Sequence, residues 1–461
     1  MEKALEPVEL CTEPYSFSNL SDSLKSLSNC DQNESTASLF NTLVQAIGEL
    51  QLNRSTPITD VKIGNVPAET VLINCLKQLR LKVTNKHSCD YVLENAAKFL
   101  PVLDTLVHYI LTEENATALY TKYLLHVLIN WLSCSSEQEN SERSILLQKY
   151  ISSNKLQAFF CNAYGCFHEV SALLYNIHRS NCSQIEDIDL IESILLHDVH
   201  PNTSNEYTGF LVELLMSQNY VWASYSQLKH QARLALQDSL RDNFIADKPM
   251  ETLPEECLKC LCHAFKTSID VVFQVSKDND LSAIREVALV LENIGHAASV
   301  EKFLHILQKD KDLLVNAGVL LINVHRLGQS PDHIFTPLKK LSTIQDDESL
   351  RSPITGFKAD LIRLVGNLCW KNRTMQDLAR EGELIPVLLD SCNIDAKNPF
   401  IMQWAILSLR IICDCNQENQ AIIAGLSKQG VIKPDALQEL GLTLHADGER
   451  KVGIIRLDVN E

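Results

Sequence analysis

The chain has 461 residues, and only 15 are Gly and 14 are Pro, so residues that break regular structure are scarce and long helices are favoured. This composition excludes collagen-like, linker-like and turn-dense all-β chains. Lys and Arg number 41 and Asp and Glu number 58, and the resulting formal net charge of −17 makes nucleic acids and anionic membranes unfavourable partners.

The length indicates more than one hydrophobic core, because a single core stops growing near ~250–300 residues. The N-terminal sequence MEKALEPVEL lacks the apolar core of a secretion signal. We therefore expect the 15 cysteines to stay reduced and mostly buried. The purely apolar runs are too short for a membrane helix, which needs roughly 20 residues.

The predicted elements change in character along the chain. Residues 1–36 are rich in Ser, Asn, Asp and Glu and are expected to be largely disordered. From residue 37 onward, apolar residues recur at spacings of three and four, which predicts successive helices. Near the C-terminus, the segment LTLHADGERKVGIIRL with its Asp447-Gly448 turn predicts a small hairpin. We expect a disordered segment at 1–36 and N-terminal helical repeats at 37–350. C-terminal helical repeats follow at 351–440, and a tail occupies 441–461.

One helical stripe repeats without gaps. The stripe contains Ala317, Leu320, Leu321, Asn323 and Val324, and it recurs 44 residues later as Leu361, Leu364, Val365, Asn367 and Leu368. A second step of 44 gives Ala405, Ser408, Leu409, Ile411 and Ile412. Armadillo and HEAT repeats have periods of roughly 40–47 residues. The sequence therefore predicts an all-α, armadillo/HEAT-like, right-handed α-solenoid of about nine repeats, which folds by stacking.

Asparagines occupy one position of this stripe in several segments. Asn130 and Asn176 have the same offset as Asn323 and Asn367, whereas Asn293 lies only 30 residues before Asn323 and breaks the period. In armadillo-type stacks such a side chain can bind the backbone of an extended peptide. Alternatively, it satisfies carbonyl groups at a helix end. Both interpretations remain open, and the predicted partner-binding residues are Asn130, Asn176, Asn323 and Asn367.

One cluster has the composition of a metal site, namely Cys257, Cys260, Cys262 and His263. A tetrahedral site needs four converging ligands, usually from two separated knuckles. Here all four residues lie within one predicted helix, so we expect core packing, no metal and no cofactor. A thiol- or metal-handling protein is the alternative hypothesis.

The motifs of common enzymes and of nuclear-import adaptors are missing. The sequence has no GxxxxGK[ST], GxSxG, HExxH or dinucleotide-binding glycine pattern, so we predict that the chain is not an enzyme. Import adaptors pair a groove Trp with an Asn four residues later. The four Trp residues here are followed at that distance by Ser135, Ser226, Thr374 and Ser408. A nuclear-transport-like adaptor is therefore a weaker alternative.

A capping signal and a family resemblance fall in the C-terminal part of the chain. Asn398 precedes Pro399, which predicts a capping side chain at the start of a helix. The segment GFKADLIRLVGNLCWKN, followed by Ile385-Pro386, Cys392-Asn393 and Asn398-Pro399-Phe400, resembles the C-terminal domain of the ataxin-10 family over about 355–425. The chain looks like a divergent member of that family.

This resemblance implies an armadillo-like, non-enzymatic scaffold for protein–protein interactions. It implies roles in neuron survival, neurite outgrowth, cytokinesis and the organisation of the ciliary basal body. The implied partners are the G-protein β subunit, O-GlcNAc transferase and further copies of the chain. The implied location is cytoplasmic and perinuclear, extending to the centrosome or basal body and the midbody.

Overall fold

A computed structural model describes the backbone of most of the chain. The described residues are 39, 41–43, 46–47, 62–63, 66–84, 86–94, 100, 118–133, 142–147, 166–181, 184–246, 253–274, 281–331, 333–338, 352–426, 442–447 and 451–456. Contacts divide the chain into two units, Met1–Leu215 and Met216–Glu461. The domain boundaries predicted after residues 36, 350 and 440 are separate from this division and stay predictions. The predicted disordered segment, 1–36, lies outside the described residues.

Unit 1 contains a short β pair that the sequence did not predict, after the helical residues 39, 41–43 and 46–47. Strands β1 (Lys62–Ile63) and β2 (Val66–Pro67) pair antiparallel, with Lys62 opposite Pro67. The helices that follow are α1 Ala68–Lys82, α2 Lys86–Glu94, α3 Ala118–Ser133, α4 Phe167–Asn181, α5 Ile188–Val199 and α6 Glu206–Met216, which ends at the unit boundary. Helix α3 packs against both α1 and α4, so these three helices form one continuous layer.

Unit 2 contains most of the described helices and ends in a hairpin. Its helices are α7 Asn219–Ala223, α8 His230–Ile245, α9 Glu255–Gln274, α10 Ser282–Ala297, α11 Glu301–Leu307, α12 Lys311–Leu327, α13 Phe357–Leu368, α14 Arg373–Glu381, α15 Leu384–Asp390, α16 Ile401–Cys413 and α17 Gln417–Ala424. Strands β3 (Leu442–Asp447) and β4 (Lys451–Arg456) then pair antiparallel. The predicted helical fold and C-terminal hairpin are confirmed.

The helices of unit 2 form two main layers. In one layer α8, α10, α13 and α16 pack in succession, and in the other α9, α12 and α15 do so. We call the first set the ladder helices of unit 2, and we call α9, α12 and α15 the outer helices. Within unit 1, α1, α3 and α4 also pack in succession, and we call them the ladder helices of unit 1. The short helices α11 and α14 each precede an outer helix. A short, an outer and a ladder helix make a repeat of the three-helix armadillo type. The right-handed twist and the count of nine repeats stay predictions.

The 44-residue period relates equivalent helices in its second step, from α13 to α16, but not in its first step, from α12 to α13. Helices α13 and α16 are neighbouring ladder helices, as the register predicts, but α12 is an outer helix that packs on α13. The ladder helix before α13 is α10, which carries Asn293. Outer and ladder helices both bury an apolar stripe, so the stripe alone does not distinguish them.

Side-chain caps fix several helix starts. Asn372 and Asn416, which are separated by one repeat, begin α14 and α17 by accepting hydrogen bonds from the backbone N–H groups of Met375 and Asn419. The capping role predicted for Asn398 at its own helix is wrong. Its side chain instead accepts from the backbone N–H groups of Lys358 and Ala359, at 3.0 and 3.2 Å, and so caps α13. Helix α16 begins only at Ile401 because Phe400 has a positive φ of 62°.

Candidate functional site

Three of the four predicted asparagines lie on ladder helices. Each donates a hydrogen bond from Nδ2 toward the preceding ladder helix. Asn130 on α3 reaches the carbonyl of Arg80 on α1 at 2.9 Å, and Asn176 on α4 reaches the hydroxyl of Ser133 at 3.3 Å. Asn367 on α13 reaches the hydroxyl of Ser299, just after α10, at 3.0 Å. These side chains are half-buried, so they link neighbouring helices while still reaching the surface.

Asn323 has a different environment. It lies on the outer helix α12, and its Nδ2 donates to the carbonyl of Val319 on the same helix at 2.8 Å. The ladder position that the 44-residue period missed is Asn293 on α10. Asn293 is fully buried, and its Nδ2 donates to the Gln237 carbonyl at 2.9 Å and to Gln237 Oε1 at 2.8 Å. The sequence around Asn293 has the same apolar stripe as the repeat. Its distance from Asn323, however, is 30 residues and not 44.

A half-buried polar strip runs across the ladder helices of unit 2. Arg285 on α10 pairs with Asp238 on α8 at 3.0 Å. On α13, Arg363 pairs with Asp360 at 3.0 Å and donates to the Glu292 carbonyl of α10 at 3.2 Å. We call Glu292, Asp360, Arg363, Asn367 and Trp404 the ladder face. It combines both charges with an amide and an indole ring, although the whole chain is strongly acidic.

Arg363 is held in place by residues from three successive helices. Gly295 on α10 makes room for it, because a Cβ atom at position 295 would lie 2.7 Å from the guanidinium Nη2. On the other side, the guanidinium carbon lies 5.7 Å from the ring centre of Trp404 on α16. A cation at this distance from an indole ring is attracted to its π face. Arg363 therefore connects α10, α13 and α16 at the ladder face.

The two carboxylates of the ladder face have opposite pKa shifts. Burial raises the pKa of Asp360 to about 6, although Arg363 opposes the rise. Burial acts in the same direction on Glu292, but a hydrogen bond from His296 and the charges of two nearby arginines lower its pKa overall. Glu292 is therefore ionised at neutral pH, whereas Asp360 titrates near the physiological range.

The thiol cluster is spread around helix α9. Cys257 and Cys262 are buried, Cys260 is half-buried and His263 is exposed. Burial raises the pKa values of Cys260 and Cys262 to about 12, so the thiolate form that binds metals is disfavoured. Across the part of the chain that the structure describes, no group of three or more His, Cys, Asp or Glu residues could hold a metal ion.

The tryptophans do not line one groove. Trp131 and Trp222 are buried and donate from Nε1 to the carbonyls of Cys89 and Met216. Trp370 is exposed, and Trp404 is half-buried beside Arg363. Within the described ranges, no helix is long and apolar enough to cross a lipid bilayer.

These features define an all-α helical-repeat protein of armadillo type with a polar ladder face. Residues 357–455 match a family model described as the spinocerebellar ataxia type 10 protein domain. Ataxin-10 of Bos taurus is 28% identical over 274 residues, which cover 58% of this chain and 56% of the bovine protein. Ataxin-10 of Homo sapiens is 28% identical over 295 residues, covering 61% and 60% of the two chains. The ataxin-10 homolog of Dictyostelium discoideum is 42% identical over 96 residues, covering 21% and 16%.

The predicted resemblance to the ataxin-10 family is confirmed, and residues 357–455 are the part that matches the family model. The similarity extends further than the sequence motifs indicated, both upstream and into the C-terminal hairpin. The chain spans 56% to 60% of the length of the bovine and human relatives. Among solved structures, SYS-1 is 14% identical and overlaps 85% of this chain and 68% of its own, but the TM-score of 0.27 is too low to support an argument.

Proposed function

We propose that the chain is a non-enzymatic scaffold that binds extended segments of other proteins on its ladder helices. The observation that carries this proposal is the ladder face, where half-buried side chains from three successive ladder helices surround the buried Arg363. Nδ2 of Asn367 is occupied by Ser299. Among the described residues, none donates to Asn367 Oδ1, so this atom can accept a backbone N–H of a bound segment. The ataxin-10 likeness supports a scaffold role.

The ladder face also suggests the chemistry of the bound segment. The carboxylate of Glu292 can accept hydrogen bonds from backbone N–H groups or from a basic side chain, whereas Arg363 is buried and stays paired with Asp360. The exposed ring of Trp370, one turn beyond Asn367, offers an apolar and aromatic contact. Tyr, Trp and Arg are enriched at protein interfaces because they combine a large contact area with directional polar groups. The proposed ligand is an extended peptide with basic side chains.

All four asparagines remain proposed partner contacts, and their positions separate two versions of the proposal. Asn130, Asn176 and Asn367 belong to ladder helices, whereas Asn323 belongs to an outer helix. Quantitative affinity purification of the full chain from cells tests both versions with Asn367→Ala and Asn323→Ala. We expect partners to be lost with Asn367→Ala and kept with Asn323→Ala. If both variants keep every partner, these asparagines do not bind.

The finer roles implied by the family are part of the same proposal. They are neuron survival, neurite outgrowth, cytokinesis and basal body organisation, with the G-protein β subunit, O-GlcNAc transferase and a second copy of the chain as partners. The proposed locations are the cytoplasm and perinuclear region, the centrosome or basal body, and the midbody. Imaging of the tagged full chain through cell division tests the locations. Co-purification of the two named partners tests the interactions.

The thiol- or metal-handling alternative is tested separately. We propose that the cluster on α9 packs the core and holds no metal, because its members lie on different sides of one helix. Metal analysis of the full chain purified under reducing conditions is expected to find less than one metal ion per chain. Bound zinc at equal stoichiometry that disappears with Cys260→Ser would contradict this interpretation.

A further inference from the structure

The ladder helices of unit 1 carry a local excess of positive charge. Helices α1, α3 and α4 contain two acidic residues and five basic ones, which are Lys77, Arg80, Lys82, Lys122 and Arg179. The whole chain has a formal net charge of −17, so these helices have the opposite sign. Side chains of one sign that line a surface raise the local concentration of ligands with the other sign. The excess therefore favours an acidic ligand.

Arg80 of α1 is held against α3 by two contacts. Its Nη1 donates to Nδ1 of His126 at 3.2 Å, and its guanidinium carbon lies 4.6 Å from the ring centre of Tyr123. Burial lowers the pKa of His126, so this imidazole is neutral at pH 7 and can accept the hydrogen bond. Within the described residues the guanidinium of Arg80 contacts no carboxylate, so its positive charge stays available to a ligand.

Lys122 and Arg179 extend the positive charge to α3 and α4. Nζ of Lys122 pairs with Oε1 of Glu169 on α4 at 3.0 Å, yet the lysine side chain is 49% exposed. Because an ammonium group has three N–H donors, Lys122 can bind a further carboxylate. Arg179 is exposed, and its guanidinium carbon lies 5.6 Å from the ring centre of Tyr175 on the same helix. Each of three successive ladder helices thus contributes one cation.

These cations share their side of the helices with two of the predicted partner-binding asparagines. Asn130 lies one turn after His126 on α3 and donates to the carbonyl of Arg80. Asn176 and Arg179 are three residues apart on α4, so they are neighbours on its surface. We call the following residues the basic strip: Arg80, Lys122, Tyr123, Asn130, Asn176 and Arg179.

The two acidic residues of these helices do not cancel the charge of the basic strip. Glu169 is only 8% exposed, and its Oε1 lies 3.0 Å from Lys122 and 3.5 Å from His126. Glu69 lies in the first turn of α1, about 16 Å along the helix axis from Arg80. The surface of the basic strip is therefore positive.

We propose that the basic strip binds an extended, acidic segment of a partner protein. This inference rests on the proposed function, because it assigns a ligand to the ladder helices of unit 1. Packed helices lie about 8–10 Å apart, a distance that an extended peptide crosses in about three residues. A segment with an acidic side chain at every third position therefore matches the strip. The ladder face of unit 2, with Glu292, selects basic side chains instead.

A short peptide segment fits the basic strip better than a nucleic acid or an anionic membrane does. A long polyanion or a lipid surface also meets the rest of this acidic chain and is repelled by it, whereas a short segment meets only the strip. Nδ2 of Asn130 and of Asn176 is occupied by a neighbouring helix. Among the described residues, none donates to their Oδ1 atoms, which can accept backbone N–H groups of a peptide.

Fluorescence anisotropy with the full chain tests the chemistry of the ligand. The probe is a labelled peptide of four Glu-Gly-Ser repeats, and in the uncharged reference peptide every Glu is replaced by Gln. We expect the Glu peptide to bind at least about tenfold more tightly than the Gln peptide at low ionic strength. Equal affinities would overturn the proposal. So would displacement of the Glu peptide by an equal concentration of an oligothymidylate with the same number of units.

A pair of lysine variants locates the binding site. Lys122→Glu reverses a charge in the basic strip, and Lys259→Glu makes the same change on the outer helix α9, where the side chain is similarly exposed at 59%. We expect the affinity for the Glu peptide to fall about tenfold with Lys122→Glu and less than about twofold with Lys259→Glu. Equal losses would show that only the net charge of the chain matters, and they would overturn the proposal.

Arg179→Glu keeps the test decisive if Lys122→Glu, whose new carboxylate faces Glu169, fails to fold. Arg179 is exposed in the last turn of α4, so we expect an unchanged circular dichroism spectrum and about a tenfold loss of affinity. Unchanged affinity would overturn the proposal. The proposed function is tested separately in unit 2: if Asn367→Ala still loses its cellular partners, the ladder helices bind proteins even though the basic strip does not bind acidic ones.

Discussion

At the scale of single residues, buried amides connect one repeat to the next. Gln376 on α14 donates to the Ile411 carbonyl of α16 at 3.0 Å, and Asn419 on α17 donates to the Gln376 carbonyl at 3.2 Å. Both side chains are buried. A buried amide that loses its partner carries the full cost of desolvation. These residues therefore fix how successive repeats are placed, in addition to any contact that they make with a partner.

The layer assignment predicts different stability effects for two asparagines. Asn293→Ala removes the donor to the buried Oε1 of Gln237 and is expected to lower the free energy of unfolding by about 1–3 kcal/mol. Asn323→Ala removes only a bond within α12 on the surface, and we expect a change within about 0.5 kcal/mol. Chemical denaturation of the two full-length variants measures the difference. Equal effects would contradict the assignment of these helices to separate layers.

Asp360 gives unit 2 a defined pH dependence. Its pKa rises from the ordinary value of 3.8 to about 6 on folding, mainly because of burial. Ionisation therefore costs more in the folded state, so this residue reduces stability as the pH rises from about 4 to 6. Asp360→Asn should be more stable than the wild type at pH 7 by at most about 3 kcal/mol.

The control for this prediction is the same comparison at low pH. Below about pH 3 the wild-type carboxyl is mostly protonated in both the folded and unfolded states, so the difference in melting temperature from Asp360→Asn should largely disappear. A difference that stays constant from about pH 3 to pH 7 would show that the substitution acts through packing or hydrogen bonding rather than through the charge of Asp360.

At the scale of elements, the closest contact between ladder helices depends on one glycine. Gly366→Ala places a methyl group against Ser408 of α16 and is expected to cost about 1–3 kcal/mol of stability. The matched control is Gly209→Ala in α6, where nothing lies within 4 Å of the added Cβ. This change should stabilise the helix by about 0.5–1 kcal/mol. Thermal unfolding of both variants tests the pair, and destabilisation by Gly209→Ala alone would contradict it.

The sequence predicted which segments are helical better than it predicted how they pair. Apolar spacing identified the helices from residue 37 onward, and the Asp447-Gly448 turn identified the hairpin. The sequence assigned the cap at Asn398 to the wrong helix. The helix that begins nearest to Asn398 in sequence is α16, but the helix start that its side chain reaches in space is that of α13. Local signals do not reveal which end of a neighbouring helix a side chain reaches.

At the scale of the whole molecule, the repeat period predicted the armadillo-type architecture but not every register. The step from α13 to α16 is correct because both are ladder helices with similar loops after them. The step from α12 to α13 joined an outer helix to a ladder helix, since both present an apolar stripe with an asparagine. The ladder face could not be predicted either, because Glu292, Asp360 and Trp404 come together only after α10, α13 and α16 stack.

The central claim is that partner proteins bind the ladder helices, and carboxyl footprinting of the full chain with a co-purified partner tests it most directly. The reagent labels exposed carboxylates, so Glu292 on the ladder face can be compared with Asp312 and Glu381, which are on α12 and α14. We expect the partner to reduce labelling of Glu292 and to leave labelling of Asp312 and Glu381 unchanged. Protection of Asp312 and Glu381 with unchanged labelling of Glu292 would contradict it.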